Sequence, residues 1–143
     1  METKFRGKRI DNNPYAGNGE WVYGGILTTV LGERCNRVDI VYFNKDYLSF
    51  YNILVDEKTC GQYTGFKDTN GKEIYDGDII KEDTNVAIVR FGEYQANNNK
   101  IYNNEVAYGF YLEYISHKGV IDHATKLDYY EVIGNIHDNK ELL

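Results

Sequence analysis

Lys67-Asp68-Thr69-Asn70-Gly71-Lys72-Glu73-Ile74-Tyr75-Asp76-Gly77-Asp78-Ile79-Ile80-Lys81 is the stretch on which the reading of the fold turns. Asn70-Gly71 supplies the two positive-φ positions of a type I′ hairpin turn. Asp76-Gly77 turns the backbone again, and Asp83-Thr84-Asn85 separates Asp78–Lys81 from the apolar run Val86-Ala87-Ile88-Val89-Arg90-Phe91. Turns this closely spaced, between strands this short, belong to small and strongly bent β structures.

Working outward, Glu105–Ile115, Val120–Asp122 and Asp128–Ile136 read as further strands, with His117-Lys118-Gly119 as a turn. Gln95–Asn104, rich in asparagine, reads as an exposed loop. The C-terminal part thus suits a small, partly open barrel of the Src-homology-3 (SH3) type. Upstream, Lys4–Ile10 alternates Lys4, Arg6 and Lys8 on one side, as a strand with one wet face would. Asp11–Gly19 supplies turn residues, and Trp21–Val30 pairs back as a hairpin, with Gly24-Gly25 marking a bulge or bend. Val38–Phe43 and Tyr47–Val55 flank Asn44-Lys45-Asp46; the second of these runs fits a strand, and its first turn also fits helical spacing. Asp56–Thr59 reads as a turn before Cys60–Phe66, a seam between an N-terminal sheet (1–60) and the barrel (61–143). The expectation is an all-β single domain with little or no helix.

Composition agrees. The chain has 143 residues, 42% hydrophobic and 27% charged, which places it with soluble globular proteins and excludes a large multi-domain enzyme. Fourteen tyrosines, six phenylalanines and one tryptophan against a single proline favour strands. The net charge of −6 repels phosphate backbones and anionic lipid, although residues 1–40 carry six basic groups against five acidic ones. No apolar run is long enough to span a membrane, and the start carries none that would serve as a signal peptide, so a cytoplasmic protein with no membrane partner is expected. Cys35 and Cys60 show no metal-ligand spacing and read as free thiols.

Two segments, Gly61–Ile80 and Glu131–Leu143, together resemble the YopX family, as do Lys4-Phe5-Arg6 and Gly19–Gly24. Phe66 stands where that family has Leu, His137 where it has Tyr, and Lys140 where it has the Pro that would pre-set a terminal helical turn. The resemblance spans nearly the whole chain. It implies a phage- or prophage-encoded protein with an all-β fold and no established activity.

The candidate residues read mainly as structural. Asp76 and Asp78 flank Gly77 as turn residues, and as metal ligands they would lack companions. Asp68, Asn70, Gly71 and Glu73 are superficially like a calcium loop but have the wrong spacing. Gly61 and Gly65 bracket Gln62-Tyr63-Thr64 without the lysine and helix of a phosphate-binding loop, so they too read as backbone-shaping. Gly134 and Asn135 belong to the closing motif. His117, His123 and His137 are dispersed, and neither cysteine has a positioned base. With no metal site, no cofactor and no nucleophile evident, the expectation is a non-enzymatic module. Its aromatic excess points to a homo-oligomer or to binding of an unidentified phage or host protein. The alternative is a nucleic-acid-associated regulator using Lys4, Arg6 and Lys8, with Tyr15 and Trp21 as stacking aromatics. The net charge disfavours it.

Overall fold

The computed structural model describes residues 3–11, 19–30, 36–97 and 105–143; Tyr15, Cys35 and most of the asparagine-rich loop lie outside them. The described residues are almost entirely β, and among them no helix reaches seven residues. Its strands are β1 (Phe5–Arg9), β2 (Trp21–Val30), β3 (Asn36–Asn44), β4 (Ser49–Lys67), β5 (Glu73–Tyr75), β6 (Asp78–Glu82), β7 (Asn85–Gln95), β8 (Val106–Tyr114), β9 (Ile121–His123) and β10 (Glu131–Asn135). They form two sheets and divide between two compact units, Met1–Tyr63 and Thr64–Leu143, with β4 passing from one to the other.

In the N-terminal unit the antiparallel pairings close on themselves: β1 with β2, β2 with β3, β3 with β4, and β4 with β1. Two long strands make this possible by changing partner halfway. On β2, Trp21–Gly24 pairs with β1 and Gly25–Val30 with β3, so the switch falls at the glycine pair. A Cβ on Gly24 would overlap the Val41 carbonyl oxygen, which is why no larger residue fits there. On β4, Ser49–Leu54 pairs with β3 and the continuation with β1.

The run 47–55 is therefore strand from Ser49 onward. Asp56–Thr59 differs from expectation, since it lies within β4. Between Arg6↔Gly61 and Lys8↔Asp56 the register jumps, and the extra residues form a bulge. Thr59 Oγ donates to the Asp56 carbonyl (2.7 Å) and accepts from Lys8 N–H (2.8 Å). Turn chemistry is present, but it folds a bulge inside a strand. The core here is small: Val38, Ile40 and Val55, with Phe5, Val22 and Cys60 against them.

In the C-terminal unit β5 lies beside the end of β4, and five strands follow the open order β10-β6-β7-β8-β9. The core holds Ile74, Ile80, Ala87, Val89, Leu112, Leu127 and Tyr130. Asp128–Tyr130, expected as strand, instead belongs to a one-turn 3-10 helix (Leu127–Tyr129) and its cap, which seats Leu127 in that core. A second such turn, Lys140–Leu142, occupies the terminus even though Lys140 stands where the family's Pro would be. Asn97, exposed as expected for the 95–104 segment, exchanges hydrogen bonds with Ile121 and donates to the Gly119 carbonyl.

Candidate functional site

The basic row was expected on a wet face, and the structure places it otherwise. β1 has neighbours on both sides. Lys8 is the register partner of Trp21, and alternation puts Arg6 on the same face. The Arg6 guanidinium lies 4.6 Å from the Trp21 ring centroid and Lys8 Nζ 5.4 Å from it, while Lys4 Nζ lies 5.8 Å from the Tyr63 ring. Arg6 is buried. A guanidinium is weakly hydrated and stacks readily on indole, so this is its low-cost way into the interior.

The family-motif residues form the frame of the turns. Gly61 and Gln62 pair with Arg6 and Phe5 in the ladder, and Tyr63 is buried. Thr64 Oγ donates to the Ile74 carbonyl and accepts from Phe66 N–H, with Gly65 beside it at φ 87°. The Asn70-Gly71 turn departs from type I′: of the two residues only Gly71 is left-handed, at φ 83°. Asp68 N–H donates to the Lys72 carbonyl across it, and Gly71 N–H to the Asp68 carbonyl. The turn also engages the Asp68 side chain. Its Oδ1 accepts from Asn70 N–H and Lys72 N–H (2.8 and 2.9 Å), and its Oδ2 accepts from Val132 N–H (3.0 Å). This accompanies an Asn70 that is not at positive φ and ties the hairpin to β10. Burial pushes the Asp68 carboxyl up, but the three N–H donors and the Lys72 charge outweigh it and hold it below the usual carboxylate range.

Asp78, almost wholly buried, accepts from Tyr75 N–H (2.8 Å) and so closes the turn at Asp76-Gly77. Gly134 follows a one-residue bulge in β10, and Asn135 Oδ1 accepts from the N–H groups of His137 and Asp138. These residues serve as clasps. Among the described residues no group of three or more His, Cys, Asp or Glu is placed to hold a metal ion. Burial, with Asp56 and Glu57 nearby, pushes the Cys60 thiol up to about 11, which suppresses its thiolate form.

The β3–β4 pair was legible from its polar link, but the exposed apolar side chains at its tip were missed. Residues 45–48 form its turn. Tyr47, Leu48 and Phe50 are 72%, 79% and 73% exposed, and Leu48 sits in left-handed space at φ 50°. Behind them Tyr51 stacks on its register partner Tyr42 with centroids 5.4 Å apart. The polar link Asn44-Lys45-Asp46 marks the turn, but no Gly or Asn stands at the left-handed position, so nothing local signalled the conformation of Leu48. Asp68, by contrast, stands two residues before Asn70, where an Asx turn is legible.

The comparisons with known proteins agree with the motifs. Residues 4–143 match the YopX protein family, and the chain belongs to it. No curated protein matches it.

Proposed function

We propose that this YopX chain is a non-enzymatic, phage- or prophage-encoded cytoplasmic protein that works by binding protein, beginning with a second copy of itself. The observation carrying this reading is the β3–β4 tip. Leucine in left-handed backbone costs roughly 1–2 kcal/mol that glycine would avoid. A turn needed only to reverse the chain has no use for that strain, nor for three large apolar side chains held in water. Both features make sense if Tyr47, Leu48 and Phe50 are covered in the working state. Tyr108 and Val106 on β8 are comparably exposed and add to the apolar surface available for contacts.

The SH3-type reading of the C-terminal unit is part of the same proposal. It is supported by the open strand order and by the one-turn helix before the last strand. The nucleic-acid alternative finds less support, because Arg6 and Lys8 lie over Trp21 and Arg6 is buried. Light scattering across a concentration series tests the reading: mass above the 16.6 kDa of one chain is expected at high concentration. The double substitution Leu48→Gly with Phe50→Ser should return it to one chain. A wild-type chain that stays single throughout would overturn self-association.

A further inference from the structure

Strands β7 and β8 outrun their neighbours. β6 pairs with β7 only from Asn85 to Ile88, and β9 pairs with β8 only from Tyr111 to Glu113, whereas the two long strands stay in register out to Gln95↔Val106. Their far ends form a two-stranded arm. Among the described residues, the last backbone bond on the β6 side of β7 runs from Gly77 N–H to the Val89 carbonyl (2.8 Å). Backbone groups along a strand alternate between its two sides, so Phe91 and Glu93 direct theirs the same way as Val89. The β8 side agrees, since the Phe110 carbonyl, opposite Phe91, turns away from β7 to accept from Ala124 N–H. Among the described residues no strand lies along β7 beyond Val89 on that side, and Phe91 and Glu93 are both exposed. Two N–H groups and two carbonyls stand open on one edge.

An open edge is completed by an added strand, and the side chains beside it say which. Phe91 and Glu93 share a face with Phe110 and Tyr108, their register partners on β8. The Phe91 ring packs on both, with centroids 4.7 Å from Phe110 and 5.4 Å from Tyr108, and stays 38% exposed. An apolar side chain opposite Phe91 would extend this cluster. Glu93 places a carboxylate two residues further on. Arg90, the nearest basic residue in sequence, lies on the other face of the sheet and is engaged by Glu113 (3.0 Å), and among the described residues no ion pair reaches Glu93. Opposite Glu93, therefore, a basic side chain fits and an acidic one is repelled. That same carboxylate makes a second copy a poor occupant. Pairing two β7 edges antiparallel about Glu93 sets like charges face to face, and shifting the axis toward Phe91 drives the second strand against Val89, where Gly77 already bonds.

We infer that the β7 edge at Phe91 and Glu93 takes up an extended segment of another protein, antiparallel, with a basic residue opposite Glu93 and an apolar one two positions later opposite Phe91. The inference rests on the protein-binding reading and uses a different surface from the hairpin tip. The probe is a labelled peptide of about six residues, alternating threonine with arginine or valine so that arginine stands two positions before valine. One control is the same peptide N-methylated at that valine, which keeps every side chain and loses a backbone donor. The other carries glutamate for arginine. Hydrogen exchange on the full chain without peptide should find the Phe91 and Glu93 amides fast and the Arg90 amide, which faces β8, slow. The peptide should slow the first two and shift amides at 89–95. Fluorescence anisotropy should show the N-methylated control binding about tenfold more weakly and the glutamate control about fivefold more weakly. Glu93→Lys, at an exposed position, should reverse the preference between arginine and glutamate without moving the melting temperature. Phe91 and Glu93 amides already protected in the free chain, no slowing on adding peptide, equal binding of the N-methylated control, or an unchanged preference in Glu93→Lys would each overturn the edge site. Light scattering on the same samples keeps the two readings apart. Self-association without peptide binding removes the edge site alone, and peptide binding by a chain that stays single removes self-association alone.

Discussion

The two units solve the same problem with different means. The C-terminal unit gathers seven buried residues around Ile80, Val89 and Leu112, and fastens its turns with the side chains of Asp68, Asp78 and Asn135. Among the described residues of the N-terminal unit the buried cluster is Val38, Ile40 and Val55. This unit takes charged side chains inward instead: Arg6 over Trp21, and Asp39, 2% exposed, held by a two-pronged hydrogen bond from Arg37 at 2.8 and 2.9 Å. Short strands with a good core can keep an open order. Strands with little core gain by closing the ring, which leaves fewer backbone groups at a sheet edge and gives the buried charges fixed partners.

Substitutions sharpen this contrast, and the largest effect is expected at Gly24. Gly24→Val would drive a side chain into the Val41 backbone, costing about 4 kcal/mol or more in chemical denaturation, since overlap with a carbonyl cannot be relieved by a rotamer change. Next, Ile80→Ala should cost about 3–4 kcal/mol, and Val38→Ala about 2 kcal/mol, because cavity cost grows with the atoms removed and with the packing around them. Ile40→Ala, which removes the same atoms as Ile80→Ala, is the like-for-like comparison, and equal losses at Ile40 and Ile80 would erase the proposed difference between the cores.

Asp68→Asn comes third, at about 2 kcal/mol at neutral pH, since an amide cannot accept at both ends. It also carries a pH signature. The folded Asp68 carboxyl titrates lower than in the unfolded chain, so its stabilisation is fully present above the unfolded value near about 4 and is lost as pH falls through the folded one. Wild-type stability should therefore drop more steeply than that of Asp68→Asn when denaturation midpoints are followed from about pH 5 downward. Identical slopes would remove Asp68 as an anionic clasp. The smallest effect is expected at Leu48→Gly, which should stabilise the single chain by about 0.5–1 kcal/mol through relief of left-handed strain.

Much of this architecture was legible in the chain, and the failures share a cause. Turn residues announced Asp76-Gly77 and the bend at Gly24-Gly25, because glycine there answers a local backbone demand. The same local signal misled at Asp56–Thr59, where Thr59 spends its hydroxyl on a bulge whose need comes from β1, about fifty positions away in sequence. It misled again at Asn70, where the Asp68 side chain accepts from Asn70 N–H and Lys72 N–H within the turn and from the distant Val132 N–H beyond it. The basic row was read by alternation alone, and alternation does not say that Trp21 lies across from it. Leu48 was invisible for the opposite reason: its conformation runs against its own preference. Residues that obey local rules reveal structure; among the described residues Leu48 shares left-handed backbone with Asp83 and Lys126, and of the three it alone presents a large apolar side chain to solvent, which draws attention to function.

The most direct measurement is sedimentation equilibrium of the wild-type chain beside Leu48→Gly with Phe50→Ser. The proposal expects the wild type to assemble reversibly as concentration rises, and the doubly substituted protein to remain at the mass of one chain while melting no earlier. Wild-type protein that sediments as one chain at every concentration, or a substituted protein that assembles just as well, would contradict it.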